Sequence, residues 1–166
     1  MTQDQPGVSR RNFLATSAAA AAFAAAVGSR AHAQAVGELR IGLVGCGGRG
    51  NGSVTDALAA AEQVGMNAKV VALGDLFPER TQGAYDKFRE LGDKQELTPE
   101  RCFTGFDAYR NVIDSDANYI LLATPPGFRP QHFEYAVHAG KHVFFEKPCA
   151  VDPVGVRRVL TSAEQA

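Results

Sequence analysis

From Leu39 onward, short apolar runs alternate with longer stretches in which apolar residues recur every three or four positions. Runs of the first kind suit strands buried on both faces, and stretches of the second kind suit helices with one apolar side. "LRIGLVG" (39–45) predicts a first strand, and "NGSVTDALAAAEQVG" (51–65) a helix that stops at Gly65. "AKVVALGD" (68–75) predicts the second strand. "LFPERTQGAYDKFRELG" (76–92) predicts the second helix, with Pro78 near its first turn and Gly92 at its end. "DKQELTPERCFTGF" is polar, with a short strand around Cys102 and Phe103, and "DAYRNVIDS" predicts a short helix. "NYILLAT" (118–124) is a strand, after which "PPGFRPQHFEYAVHAGK" turns through Pro125 and Pro126 into a helix ending near Gly140. "HVFFEKP" is a last strand closed by Pro148, and "DPVGVRRVLTSAEQA" a last helix with Asp152 as cap and Pro153 behind it. Five strands alternating with five helices predict an α/β fold over residues 36–166, a Rossmann doubly wound parallel sheet.

The first 33 residues follow another pattern. A charged start with Arg10 and Arg11 leads into the Ala-rich run 18–26 and then "AHA" at 31–33, the order of an export signal with its cleavage site. The paired arginines and mildly apolar middle resemble a twin-arginine signal, which predicts the export machinery as a partner and a periplasmic or otherwise exported location. The stretch 13–27 is short of the roughly 20 residues a bilayer span needs, so no stable membrane anchor is expected. Removal of 1–33 would leave 14 basic against 17 acidic side chains, a formal charge of −3. The basic residues are scattered among acids, which argues against nucleic-acid binding. Cys46, Cys102 and Cys149 are odd in number and show no paired spacing, so neither a disulfide framework nor a cysteine zinc site follows.

Four motifs carry candidate chemistry. Gly45, Gly47 and Gly50 form G-x-G-x-x-G between a predicted strand and a predicted helix, the context in which the pattern means a dinucleotide. The first glycine permits the turn, the second lets a pyrophosphate approach the backbone, and the third lets helix and strand pack closely. The whole turn, with Cys46, Gly48 and Arg49, is the candidate phosphate cradle, its helix-start amides facing the anion. Asp75 ends the second strand, 25 positions after Gly50, where a carboxylate can accept from the adenosine ribose hydroxyls. That carboxylate would repel a 2′-phosphate and so favours NAD over NADP, although Arg80 nearby argues the other way; a turn or capping carboxylate is the alternative for Asp75. Thr124, Pro125 and Pro126 stand at the carboxyl end of the fourth strand, where open α/β sheets bind ligands. Glu146 and Lys147 stand at the end of the fifth, on the same edge as the glycine turn, as candidate cofactor-binding residues, and a lysine there can also give or take a hydroxyl proton. His132 in the first turn of a helix reads as a polar surface residue. His138 and His142 straddle Gly140 and do not share a helix face, so no metal pair is expected.

"GLVGCGGRG", the "GD" of Asp75 and "ATPPGFRPQHFEYAVHAGKHVFFEKPCAVD" resemble the Gfo/Idh/MocA family of glucose–fructose oxidoreductases and inositol dehydrogenases, over the chain from about Leu39. The resemblance implies that Lys147 is the active-site lysine, that Pro148 shapes its turn, and that the loop 124–126 borders the cofactor. Gly127 stands where many members carry a histidine after the proline pair. It also implies a second α/β domain that binds substrate and supplies further catalytic groups. The chain therefore reads as the amino-terminal part of a longer protein, ending before the last Rossmann strand and that domain. The implied function is NAD(P)-dependent oxidation or reduction of a sugar, polyol or related hydroxyl compound, by a homo-oligomer when complete. Two alternatives stand beside it: an NAD-dependent glycoside hydrolase of the same superfamily, and a non-catalytic dinucleotide-binding module.

Overall fold

The computed structural model describes residues 37–166, so the proposed export signal lies outside the described residues. Five strands alternate with helices: β1 Glu38–Val44, α1 Gly48–Gln63, β2 Asn67–Asp75, α2 Pro78–Phe88, β3 Cys102–Thr104, α3 Ala108–Ile113, β4 Tyr119–Leu122, α4 Arg129–His138, β5 His142–Phe145 and α5 Pro153–Glu164. The sheet order is β3-β2-β1-β4-β5 and every pairing is parallel. This is the Rossmann-type α/β sheet the alternation predicts. The strand order reverses between β1 and β4, and parallel strands put all their carboxyl ends on one edge, where a crevice opens.

Each face of the sheet has its own apolar layer. Ile41 and Leu43 of β1 and Leu73 of β2 pack with Val54 and Leu58 of α1 and Phe88 of α2. Val44, Ile120 and Leu122 face the other way, against Val112 and Ile113 of α3 and Phe133 of α4. Period-two alternation within buried strands thus serves two cores, which is why the strands look apolar throughout. Two helix boundaries differ from the sequence reading by three residues or more. Residues 89–94 leave α2 as 3-10 turns, broken at Gly92 with φ 61°. The helix expected from Asn51 begins at Gly48, three residues earlier. α5 starts as expected, with the Asp152 carboxylate accepting from the Gly155 amide.

At the opposite edge the strand starts are tied by charge. Arg40 meets Glu38 at 3.1 Å, Glu96 at 2.7 Å and Asp116 at 2.6 Å, while Lys69 meets Glu96 at 2.9 Å and Arg101 meets Asp116 at 2.7 Å. The hydrogen bonds from Arg40 and then Lys69 hold the Glu96 carboxyl down at about 2, and Arg101 and Arg40 hold Asp116 at about 2. Both values lie below those of the unfolded chain, roughly 4, so the network's contribution is complete above that pH and is lost as pH falls from 4 towards 2. The melting temperature should therefore drop over that window, and Glu96→Gln should lower it at pH 7 while flattening its decline in acid. A decline of unchanged steepness in Glu96→Gln would assign the acid sensitivity elsewhere.

Candidate functional site

The crevice at the carboxyl edge is a cleft of about 800 Å³. Its centre is the turn after β1. Gly45 has φ 99°, and its amide donates to the Gly74 carbonyl at 2.7 Å. A Cβ there would lie 2.7 Å from the Ala123 carbonyl carbon, and one on Gly50 would lie 1.9 Å from the Gly45 oxygen. These two glycines are required by the protein's own packing: the missing Cβ of Gly50 lets α1 sit on the turn, and so lets the helix begin early. Gly47 is different. Its backbone is extended at φ −74° and ψ −177°, open to any residue, and a Cβ there would meet nothing within 4 Å. Gly47 faces the cleft, so its missing side chain preserves room for a ligand. The amides of Gly48, Arg49 and Gly50 have no intrahelical acceptor, and no side chain caps them. An uncapped helix start facing open space fits a pyrophosphate.

Asp75 lines the same cleft and is only 7% exposed. Its Oδ2 accepts from the Cys46 amide at 2.7 Å and its Oδ1 from the Phe77 amide at 3.0 Å. The carboxylate therefore fixes the glycine turn and its own loop, combining the turn role with a place in the cleft lining. A carboxylate has about four lone-pair positions, which leaves capacity for ribose hydroxyls. The Cys46 side chain turns inward and its thiol donates to the Gly74 carbonyl at 3.5 Å. Burial, with Asp75 adding to it, pushes that thiol up to about 12. Cys46 thus acts through its backbone, and with Gly48, Gly50 and Pro126 it stands outside the cleft lining. The Arg80 guanidinium lies over the Phe77 ring, 5.0 Å from its centre, at the Asp75 end of the cleft.

Thr124 and Pro125 line the cleft after β4. The Thr124 hydroxyl is 3.2 Å from Nδ1 of His132, whose ring stacks on Tyr109 with centres 4.1 Å apart and planes at 19°. His132 is 7% exposed, so it is not the surface residue its position in α4 suggests. The first turn of α4 faces α3 instead of water. Burial, helped by the neighbouring Arg129 charge, lowers the imidazole to about 4, so the ring is neutral at pH 7.

Glu146 and Lys147 follow β5. Lys147 is exposed into the cleft, and its peptide bond to Pro148 is cis. Glu146 is buried, and its partner is not the adjacent lysine. Its Oε1 accepts from Arg49 at 2.5 Å and from the Ser53 hydroxyl at 3.3 Å. Arg49 holds that carboxyl below its ordinary range. A cation in the first turn of α1 is thereby moored to the loop that carries Lys147.

Sequence reasoning also passed over Arg129. It is 3% exposed, and it donates from Nη1 to the carbonyls of Glu146 and Pro148 and from Nη2 to that of Thr124. A signal was present: a cation at the first position of a helix opposes the helix dipole, which implies a tertiary partner. Of the expected positions, then, the structure brings Gly45, Gly47, Arg49 and Asp75 to the cleft from one side, and Thr124, Pro125, Glu146 and Lys147 from the other. Among the described residues no group of three or more His, Cys, Asp or Glu side chains could hold a metal ion.

Comparison with known proteins bears on the family and the fold. Residues 39–166 match the family profile described as "Oxidoreductase family, NAD-binding Rossmann fold". The chain is 26% identical over 169 residues to a "Glycosyl hydrolase family 109 protein" of Streptomyces coelicolor, covering 89% of this chain and 34% of that protein. It is 29% identical over 125 residues to an "Inositol 2-dehydrogenase" of Burkholderia cenocepacia, covering 74% of this chain and 32% of that one. The WlbA dehydrogenase from Bordetella pertussis, solved with NADH and UDP-GlcNAcA, superposes with a TM-score of 0.55 at 26% identity, covering 77% of this chain and 34% of that one. The chain spans about a third of the length of these relatives.

Proposed function

The chain belongs to the Gfo/Idh/MocA oxidoreductase family and carries its NAD-binding Rossmann domain, and from that premise we propose that it serves an exported oxidoreductase acting on a sugar, polyol or related hydroxyl compound. One observation carries the reading. A single cleft joins an uncapped helix start, the Asp75 carboxylate at the end of β2 and the Lys147 side chain after β5. Bound NAD supplies the hydride acceptor. The residues of the chain do the rest: the first-turn amides of α1 and the Arg49 side chain hold the pyrophosphate, and Asp75 accepts from the ribose. Thr124 and Pro125 border the nicotinamide half. Lys147 Nζ takes the proton of the substrate hydroxyl in oxidation and returns it in reduction. The substrate-binding domain of the relatives would close the cleft from above.

Asp75 supports a preference for NAD, since a carboxylate held in place by two amides cannot swing away from a 2′-phosphate. Calorimetric titration should show NAD binding at least ~10-fold more tightly than NADP, about 1.4 kcal/mol. Asp75→Ser should narrow that gap. NADP binding as tightly as NAD would overturn the preference, and absence of binding by either in a folded chain would overturn the cofactor assignment of these residues.

The relatives named as family 109 glycosyl hydrolases favour a second reading, in which NAD is reduced and reoxidised within one hydrolytic turnover. Release of a chromogenic aglycone without net NADH formation would select it over the dehydrogenase. Export by the twin-arginine route is part of the proposal, supported by Arg10, Arg11 and the small-residue site at 31–33. That route carries folded proteins, so a bound dinucleotide could leave the cytoplasm with its protein.

A further inference from the structure

Arg129 is an expensive residue to place where it is. Its guanidinium is removed from water, and no carboxylate side chain hydrogen-bonds to it, because the nearby Glu146 carboxylate is bound to Arg49 and Ser53. Burial lowers its proton affinity, and its Nε finds no acceptor. A buried cation satisfied only by neutral carbonyls is costly in desolvation, so its geometry matters more than its charge pairing. That geometry is specific. One nitrogen, Nη1, binds the carbonyls on either side of Lys147, those of Glu146 and Pro148. The other, Nη2, binds the carbonyl of Thr124, in the loop that borders the cleft after β4. The rigid, planar fork therefore sets the distance and angle between two loops beyond the β4–β5 register, which ends at Leu122 and Phe145 and is followed by one further backbone bond, from the Glu146 amide to the Leu122 carbonyl.

We propose that Arg129 is the positioning residue for Lys147, holding the Glu146–Pro148 backbone against the Thr124 loop so that the lysine is presented at a set place in the cleft. The proposal rests on the reading of Lys147 as the proton-moving group. Arg129 itself acts through backbone that it orders.

The test is 15N relaxation on the full chain, comparing the Lys147 amide with the Lys141 amide just before β5. Lys141 is an internal control because its side chain is held by the carbonyls of Ser115 and Ala117, away from Arg129. In the wild type both amides should show order parameters near 0.85; in Arg129→Met that of Lys147 should fall below about 0.6 while Lys141 is unchanged. Arg129→Lys, which restores charge but not the fork, should recover part of the loss. If Arg129→Met does not fold, Arg129→Gln carries the same comparison. Unchanged order at Lys147 in whichever neutral variant folds, or equal loosening at Lys141, overturns the proposal. Collapse of the whole chain in both neutral variants overturns it too, since Arg129 would then serve general stability. The outcome is separable from the role of Lys147: an ordered, Arg129-dependent loop in a protein whose turnover survives Lys147→Ala would keep the clamp and reject the catalytic lysine.

Discussion

Gly50→Ala should abolish cooperative folding, whereas Gly47→Val should leave a folded protein that no longer binds NAD. The two positions share one motif and differ in what their missing side chains accommodate. At Gly50 a single methyl would sit 1.9 Å from the Gly45 carbonyl oxygen, a backbone atom, with no flexible side chain to yield. Separating α1 from the turn would also disturb Val54 and Leu58, which pack against β1 and β2. A cost of about 4 kcal/mol or more is expected, a large share of the total stability of a small domain. At Gly47 an added Cβ meets no protein atom within 4 Å, and the backbone angles are ordinary. The folding cost there is the exchange of glycine for a poor helix cap, about 1 kcal/mol. The added atoms occupy the space above the first-turn amides, so NAD affinity should fall at least ~100-fold, about 2.7 kcal/mol. Thermal melting followed by circular dichroism and calorimetric titration read the two effects separately. Full NAD binding by Gly47→Val would show that the pyrophosphate lies elsewhere, and a stable Gly50→Ala would refute the close approach.

Lys147→Ala, introduced into a polypeptide that carries the substrate-binding domain of the family, should reduce turnover by roughly 10²- to 10⁴-fold, the usual contribution of a positioned proton donor or acceptor. NAD affinity should change less than about threefold, because the proposed cradle for the pyrophosphate and ribose is built from α1 and β2 and not from the loop after β5. Turnover measured at saturating substrate, beside a binding titration, distinguishes the two quantities. Equal losses in both would make Lys147 a cofactor ligand and remove it from the chemistry.

Much of this was legible along the chain because the relevant physics is local. A strand betrays itself by a short apolar run and a helix by the spacing of its buried face, so the order of five strands and five helices followed from the sequence. The G-x-G-x-x-G turn was legible for the same reason: its meaning depends on a strand just before it and a helix just after. Asp152 capping α5 is another case, since donor and acceptor are three residues apart.

What the sequence determined by itself is therefore the alternating α/β plan, the position of the glycine turn and the set of residues that fall at strand carboxyl ends. Only the tertiary structure decided how those ends are tied together. Asp75 binds the Cys46 amide across 29 positions, Arg49 binds Glu146 across 97, and Arg129 reaches the Lys147 loop from the start of a helix that a linear reading takes to be solvated. His132 is inside because α3 lies across it, and nothing within its own helix records that neighbour. The reason is geometric: periodicity reports which side of an element is apolar, but the strand order β3-β2-β1-β4-β5 selects which loops become neighbours, and the partners of buried polar groups follow from that choice.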